Sequence, residues 1–395
     1  MREWIRGRGV FFLLTLLAFL YGVAVGRFQF PPFSLLKDGY SLLQPKDSSE
    51  IQYALPSKTP QTTIEVTEEY IEIPKEYSET DVESLIAIRS QEDVAKQREI
   101  LVRFLWGDGG LPSSLPSTVI KDFKDVRYED IPSLVRLDKI VITMEFGIES
   151  IAYHFVPQNP NNKVVLYHQG HDGDFFLGKK EIETLIEHGY AVMAFSMPLL
   201  GLNNQPTIQI THIGKLKLTS HDHMKFLFPQ DGHPVKYFIE PVVIALNYIE
   251  TKYNYTSIAM AGLSGGGWTT TLSAAVDTRI KKSFPVAGSY PIYLRSNSPN
   301  DWGDYEQTIP ELYTKINYLE LYILGAHGEN RKQIQIINKY DPCCFNGINW
   351  ETYLYIVKSH VHELGTGEFE LLLDDSHRKH IISDFAMSII LHELE

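Results

Sequence analysis

From Leu134 onward the apolar positions alternate between short continuous runs and stretches of helical spacing. LVRLDKIVITM (134–144) and SIAYHFVP (150–157) read as a strand pair around Gly147. KVVLYH (163–168) is a continuous apolar strand, KKEIETLIEHG (179–189) a helix stopped by Gly189, and YAVMAFSMP (190–198) a second buried strand. A loop-rich insertion covers about 199–236. FIEPVVIALNYIETKY (238–253) then reads as a helix with Pro241 in its first turn. TSIAMAGLS (256–264) is a strand that runs into glycines, and GGWTTTLSAAVD (266–277) is helical. KKSFPVAGSYP, KQIQIINKYD and FELLLDD are three further strands, and HIISDFAMSIILHEL (380–394) is a closing helix. Strands alternating with helices at this spacing predict an α/β fold with a mostly parallel, doubly wound sheet. Such sheets bind ligands beyond the carboxyl ends of their strands, so chemistry is sought in the turns that follow each strand.

The N-terminal third carries a different pattern. Arg2, Arg6 and Arg8 precede an uncharged run from Gly9 to Gly26, closed by Arg27. Its 18 residues reach the lower limit for a membrane-spanning helix. The basic flank predicts a cytoplasmic N-terminus and a catalytic domain outside the cytoplasm. Ala24 and Gly26 also suit a signal-peptide cleavage site. The run is long for a signal, so an uncleaved anchor over 1–27 is the preferred reading and secretion after cleavage the alternative. Residues 28–60 read as a linker punctuated by Pro31, Pro32, Pro45, Pro56 and Pro60. Residues 61–133 read as an N-terminal extension packed on the catalytic domain of 134–395. Within it, 62–73 partly alternates like a strand. A helix is expected to follow, with Thr80 and Glu83 as its capping box and apolar positions through Leu105.

Composition narrows the function classes. Lys and Arg number 36 against 49 Asp and Glu, a net charge of −13, which excludes a general nucleic-acid binder. The only cysteines, Cys343 and Cys344, are adjacent, so neither a disulfide framework nor a cysteine-rich zinc module is present. Two unpaired thiols are expected there in preference to a vicinal disulfide.

The strongest chemical signal is Gly262-Leu263-Ser264-Gly265-Gly266, which follows a buried strand and opens a helix. That is the setting of a nucleophile elbow, in which a sharp turn exposes the serine at a helix N-terminus and leaves no room for side chains two positions away. On this motif and the element order, residues 134–395 resemble the α/β-hydrolase superfamily, whose order is serine, acid, histidine. The resemblance implies Ser264 as nucleophile and Asp341, at the end of KQIQIINKYD, as the orienting acid. Asp374 and Asp375 come early in their loop for that role and are expected to end a strand. The implied histidine is His380, followed by apolar Ile381 and Ile382 at the start of the last helix; His377, beside Ser376 and Arg378, is the second candidate. The turn His168-Gln169-Gly170-His171 resembles the family's oxyanion loop with Gln169 interposed. The backbone N–H groups of His171 and Gly265 are the implied oxyanion donors.

These residues imply a serine hydrolase acting on a carboxylic ester through an acyl-enzyme, needing no cofactor. Acyl transfer and peptide cleavage are close relatives, and a non-catalytic extracytoplasmic binding module on the same scaffold is the competing class. The implied partners are a small-molecule or envelope-associated ester and the membrane, through the N-terminal helix. His212, His221, His223 and His233 of the insertion, with His171 and Asp172 nearby, have no local metal-ligand spacing; the insertion histidines are read as polar surface and the His171 side chain as lining the substrate pocket, with no metal in the chemistry. The insertion is read as a lid or pocket wall over the serine.

Overall fold

The computed structural model describes residues 72–296 and 299–395. The predicted anchor, the linker and most of the strand expected at 62–73 lie outside them. Among the described residues no helix is long and apolar enough to cross a membrane.

The strands are β1 (Thr118–Ile120), β2 (Leu134–Thr143), β3 (Glu149–Pro157), β4 (Lys163–His168), β5 (Ala191–Phe195), β6 (Thr207–Ile210), β7 (Gly214–Lys217), β8 (Ser257–Leu263), β9 (Lys282–Val286), β10 (Lys332–Asn338) and β11 (Glu368–Asp374). Nine form one sheet in the order β1-β2-β3-β5-β4-β8-β9-β10-β11, and β6 and β7 form a separate hairpin. From β5 to β11 every neighbouring pair is parallel, whereas β1, β2 and β3 join the edge antiparallel. The longer helices are α1 (Gln91–Trp106), α2 (Lys179–Glu187), α3 (Lys236–Lys252), α4 (Gly265–Val276), α5 (Tyr318–Ala326), α6 (Leu354–Glu363) and α7 (Asp384–Leu394).

The sheet is buried on both faces, as a parallel sheet requires. In β4, Val164 and Leu166 join the core shared with α1, α3, α4, α5 and α6, while Val165 and Tyr167 join the opposite core beneath α2 and α7. That alternation follows from the two-residue period of a strand. Tyr77, Val82, Ile86 and Ile88 belong to the first core, so the segment before α1 is part of the packing.

Several boundaries differ from the sequence expectation. The helix expected after Thr80 begins ten residues later, where Ser90 accepts the N–H of Asp93 and Ile88 has just been buried. Glu83 starts only a single 3-10 turn. Helix α3 begins at Lys236, so Pro241 lies beyond its first turn. The last helix begins at Asp384, capped by Ser383, which leaves His380 in the preceding loop and not at the helix mouth. Cys343 and Cys344 are joined in a vicinal disulfide, in place of the two thiols expected.

Candidate active site

Ser264 stands between β8 and α4 with φ 58° and ψ −123°. A non-glycine residue in that region is strained and persists only when its surroundings hold it. Here its N–H donates to Val286 O at 2.8 Å and its carbonyl accepts from Trp268 N–H at 3.0 Å. The flanking glycines are steric necessities: a Cβ on Gly262 would run into the carbonyl of Gly266, and one on Gly266 into the carbonyl of His168. The β4 turn comes over the serine from the other side. A Cβ on Gly170 would lie 2.7 Å from Ser264 Cβ and 2.8 Å from Leu263 O.

Gln169, the residue that departs from the family's loop, is buried. It accepts from Tyr167 Oη at 2.5 Å and donates to Asp172 Oδ1 at 2.8 Å, which ties the turn to itself. Burial lowers the pKa of His168 to about 4, so this imidazole stays neutral while its Nδ1 bonds Gln169 O. The His171 N–H, next along, has no hydrogen-bond partner among the described residues. Gly265 is the first residue of α4, and the first N–H groups of a helix lack intrahelical acceptors.

Asp341 and His380 meet beyond the ends of β10 and β11. Asp341 Oδ2 lies 2.7 Å from His380 Nδ1. The carboxylate is buried and accepts the Cys343 N–H at 2.8 Å on Oδ1 and Asn338 Nδ2 at 3.2 Å on Oδ2. Asn338 also donates to Ile381 O at 2.9 Å, fixing the His380 loop to the end of β10. Ile382 is buried, but Ile381 is partly exposed and anchors through this carbonyl and not through its side chain. His377 faces another carboxylate, with Nε2 3.3 Å from Asp374 Oδ2. Asp374 ends β11 and is held by Ser376 and by the cap residue Ser383. Ser264, Asp341, His380 and Gly170 therefore lie at the carboxyl ends of β8, β10, β11 and β4. Among the described residues no hydrogen bond joins Ser264 Oγ to either histidine.

A second polar group abuts the first. The His171 ring lies against Gly265, whose added Cβ would come within 2.6 Å of Nδ1. Its Nε2 is 2.7 Å from Glu306 Oε1 and 3.2 Å from Asp304 Oδ2. His221, from the insertion, places Nδ1 3.2 Å from Glu306 Oε2 and bonds Pro198 O through Nε2 at 2.9 Å. Burial alone would raise the Glu306 pKa, but the two facing imidazoles more than offset it and bring it to about 2. His221 is shifted upward: burial works against its charge, and Glu306 prevails. The other insertion histidines stand apart. His223 accepts the Thr219 N–H, and His233 stacks on Phe104. The sequence pattern singles out neither Glu306 nor Asp304; both lie between β9 and β10 in a stretch without apolar periodicity.

A cavity of about 890 Å³ is lined by Trp350, Tyr355, His362 and Phe369, and none of the site residues lines it. A smaller one of about 230 Å³ opens beside His171, His221 and Asp304.

No protein-family profile matches the chain, and no curated protein matches it in sequence. The fold is shared with solved esterases. Methylesterase BT1017 superposes with a TM-score of 0.54 at 16% identity, covering 79% of this chain and 65% of its own. Acetyl xylan esterase 1 from Thermoanaerobacterium sp. gives 0.50 at 12% identity, over 80% of this chain and 99% of its own. The Pyrococcus furiosus esterase Pf2001 gives 0.47 at 17% identity, over 71% and 98%. At these identities the likeness is one of fold, a mixed α/β architecture of the α/β-hydrolase type with a large, mostly parallel central sheet.

Proposed function

We propose that the protein is a serine hydrolase of carboxylic esters. The observation that carries the reading is the 2.7 Å contact of His380 Nδ1 with the buried Asp341 carboxylate, at the same sheet end as a serine held at positive φ. A carboxylate only accepts, so it keeps the proton on Nδ1 and leaves Nε2 with a free lone pair. In this reading Nε2 takes the proton of Ser264 Oγ as the oxygen attacks the ester carbonyl. The N–H groups of His171 and Gly265 stabilise the oxyanion. Collapse expels the alcohol, which receives the proton from His380, and water releases the acyl group by the same steps. Methylesterase BT1017 and acetyl xylan esterase 1, at TM-scores of 0.54 and 0.50, are named for methyl and acetyl esters, which favours a small ester group as substrate.

We further propose that residues 9–26 anchor the chain with the catalytic domain outside the cytoplasm. A reporter fused after Glu395 is then active only in its extracytoplasmic form, and cytoplasmic reporter activity would refute the orientation.

The chemical reading is tested with a fluorophosphonate probe, which forms a covalent bond only with an activated serine. The wild-type chain is expected to label at Ser264 and Ser264→Ala to lose both labelling and esterase turnover while remaining folded. A folded Ser264→Ala protein that still hydrolyses esters through an acyl-enzyme rules the reading out.

A further inference from the structure

We propose that His171, His221 and Glu306, with Asp304 at the rim, bind a divalent cation of the zinc type. The donor set is the first argument. Two imidazole nitrogens with carboxylate oxygens suit zinc and similar borderline cations, whereas magnesium and calcium prefer oxygen alone.

The spacing is the second. Ligands about 2.0–2.1 Å from a tetrahedral ion stand roughly 3.3 Å from one another. His171 Nε2 to Asp304 Oδ2 and His221 Nδ1 to Glu306 Oε2 are both 3.2 Å, and one donor atom from each of His171, His221 and Glu306 lies within 4.8 Å of the others.

The third argument is the direction of the donors. Glu306 is fully buried, yet its Oε2 makes no hydrogen bond. His221 Nδ1 lies 3.2 Å away without the geometry of an N–H···O bond. His221 Nε2 is committed to Pro198 O, so a neutral ring turns the lone pair of Nδ1 toward this oxygen. In a buried site that pair needs a positive charge between its two atoms, which either a proton on Nδ1 or a bound cation supplies. Ligands of a common ion point at the ion and not at each other; His221 Nδ1 and Glu306 Oε2 show that arrangement, whereas His171 Nε2 and Glu306 Oε1 are joined by a 2.7 Å hydrogen bond that the ion would replace. The bond to Pro198 O is also the outer partner that a metal-bound imidazole ordinarily has, fixing its tautomer.

Access comes from the 230 Å³ cavity, which reaches both histidines and Asp304. Asp304 is half exposed, so a fourth ligand is available from the solvent side without burying another charge. The ion would join three separate segments: the turn after β4, the insertion, and the stretch between β9 and β10. Because His171 lies against Gly265, it would hold the turn over Ser264 in place. Its role is to position that turn, with no part in bond making.

The test uses the full chain, stripped by a chelator and titrated calorimetrically with zinc chloride, with bound metal counted by elemental analysis. One equivalent per chain is expected, and zinc should raise the melting temperature in a chelator-reversible way. Glu306→Gln and His221→Ala should each weaken binding by more than the 10–100-fold that loss of an outer partner alone brings. Should either buried variant fail to fold, His171→Ala, at a partly exposed ring, makes the same test. His212→Ala, an exposed histidine outside the cluster, should bind zinc as the wild type does. Absence of a stoichiometric site overturns the proposal. So does binding that survives loss of His171 or Glu306 but not of His212. In those cases the cluster is an imidazolium–carboxylate pair.

Discussion

Asp341→Asn tests the proposed mechanism most sharply, because the structure fixes what the amide must do. The carboxylate accepts three donors: the Cys343 N–H on Oδ1, and Asn338 Nδ2 and His380 Nδ1 on Oδ2. An amide has one accepting oxygen. If that oxygen keeps the Cys343 N–H, the new NH2 faces both Asn338 and His380. His380 must then accept on Nδ1 and carry its proton on Nε2, where it cannot act as base. If the amide turns over, the NH2 faces the part-buried Cys343 N–H at 2.8 Å. Leaving such a donor unsatisfied costs about 1–3 kcal/mol when it is buried, which is the upper bound for this part-buried one. The anionic support of the imidazolium, about 1.5–3 kcal/mol for a hydrogen bond to a charged group, is lost in either case. The sum, roughly 2.5–6 kcal/mol, corresponds to a fall in turnover of about 10²–10⁴ at 1.36 kcal/mol per decade. The upper end equals the loss on record for the corresponding change in a serine-protease triad. The assay is hydrolysis of an activated acetate ester, with circular dichroism and a melting curve to establish folding. A folded Asp341→Asn protein within tenfold of wild type would falsify the assignment of Asp341 as orienting acid.

Three further outcomes follow from the same geometry. His380→Ala should lower turnover about a thousandfold or more and His377→Ala less than about tenfold, since His377 faces Asp374; steady-state rates decide, and the reverse pattern exchanges the two histidines. Gly170→Ala forces a Cβ to within 2.7 Å of Ser264 Cβ and 2.8 Å of Leu263 O, so it should destabilise by about 1–3 kcal/mol and lower turnover beyond what the unfolded fraction explains; near-normal turnover in denaturant-characterised protein would show that the turn yields freely. Asp374→Asn should leave turnover within about tenfold but lower the melting temperature at neutral pH. Burial pushes the Asp374 pKa up, but hydrogen bonds from Ser376 and Ser383 prevail and hold it below the usual carboxylate value. A depressed native pKa gives stability that is present above the unfolded pKa, about 3.9, and lost as pH falls through the native value. The gap in melting temperature between wild type and variant should therefore close below about pH 4, and a gap that widens there would contradict the assignment.

What was legible in the sequence is what local physics determines. The run KVVLYH reads as a strand because a sheet buried on both faces needs apolar residues at successive positions, and Val164 and Val165 do enter opposite cores. Gly262 and Gly266 mark a tight turn because no side chain fits there; the demand at Gly262 is local, against Gly266, whereas that at Gly266 comes from the His168 carbonyl on β4. The start of the last helix was less legible. The apolar stripe points back to His380, but the cap is set by Ser383, whose hydroxyl is shared between the Ala386 N–H and Asp374. The competition is between two polar anchors, which an apolar pattern does not weigh. Glu306 was not legible at all. Its partner imidazoles are His171, 135 residues earlier, and His221, in the insertion. Nothing within its own segment separates it from the exposed Asp304, since a sequence does not record which carboxylate the fold buries. The difference is made by the fold, which removes Glu306 from water and surrounds it with nitrogen. A buried charge needs a partner of opposite sign, so the loops that carry Glu306, His171 and His221 are constrained together. The turn over Ser264 is thus held from two sides: by the close backbone approach that Gly170 and Gly266 permit, and by a charge requirement that appears only once the chain is folded.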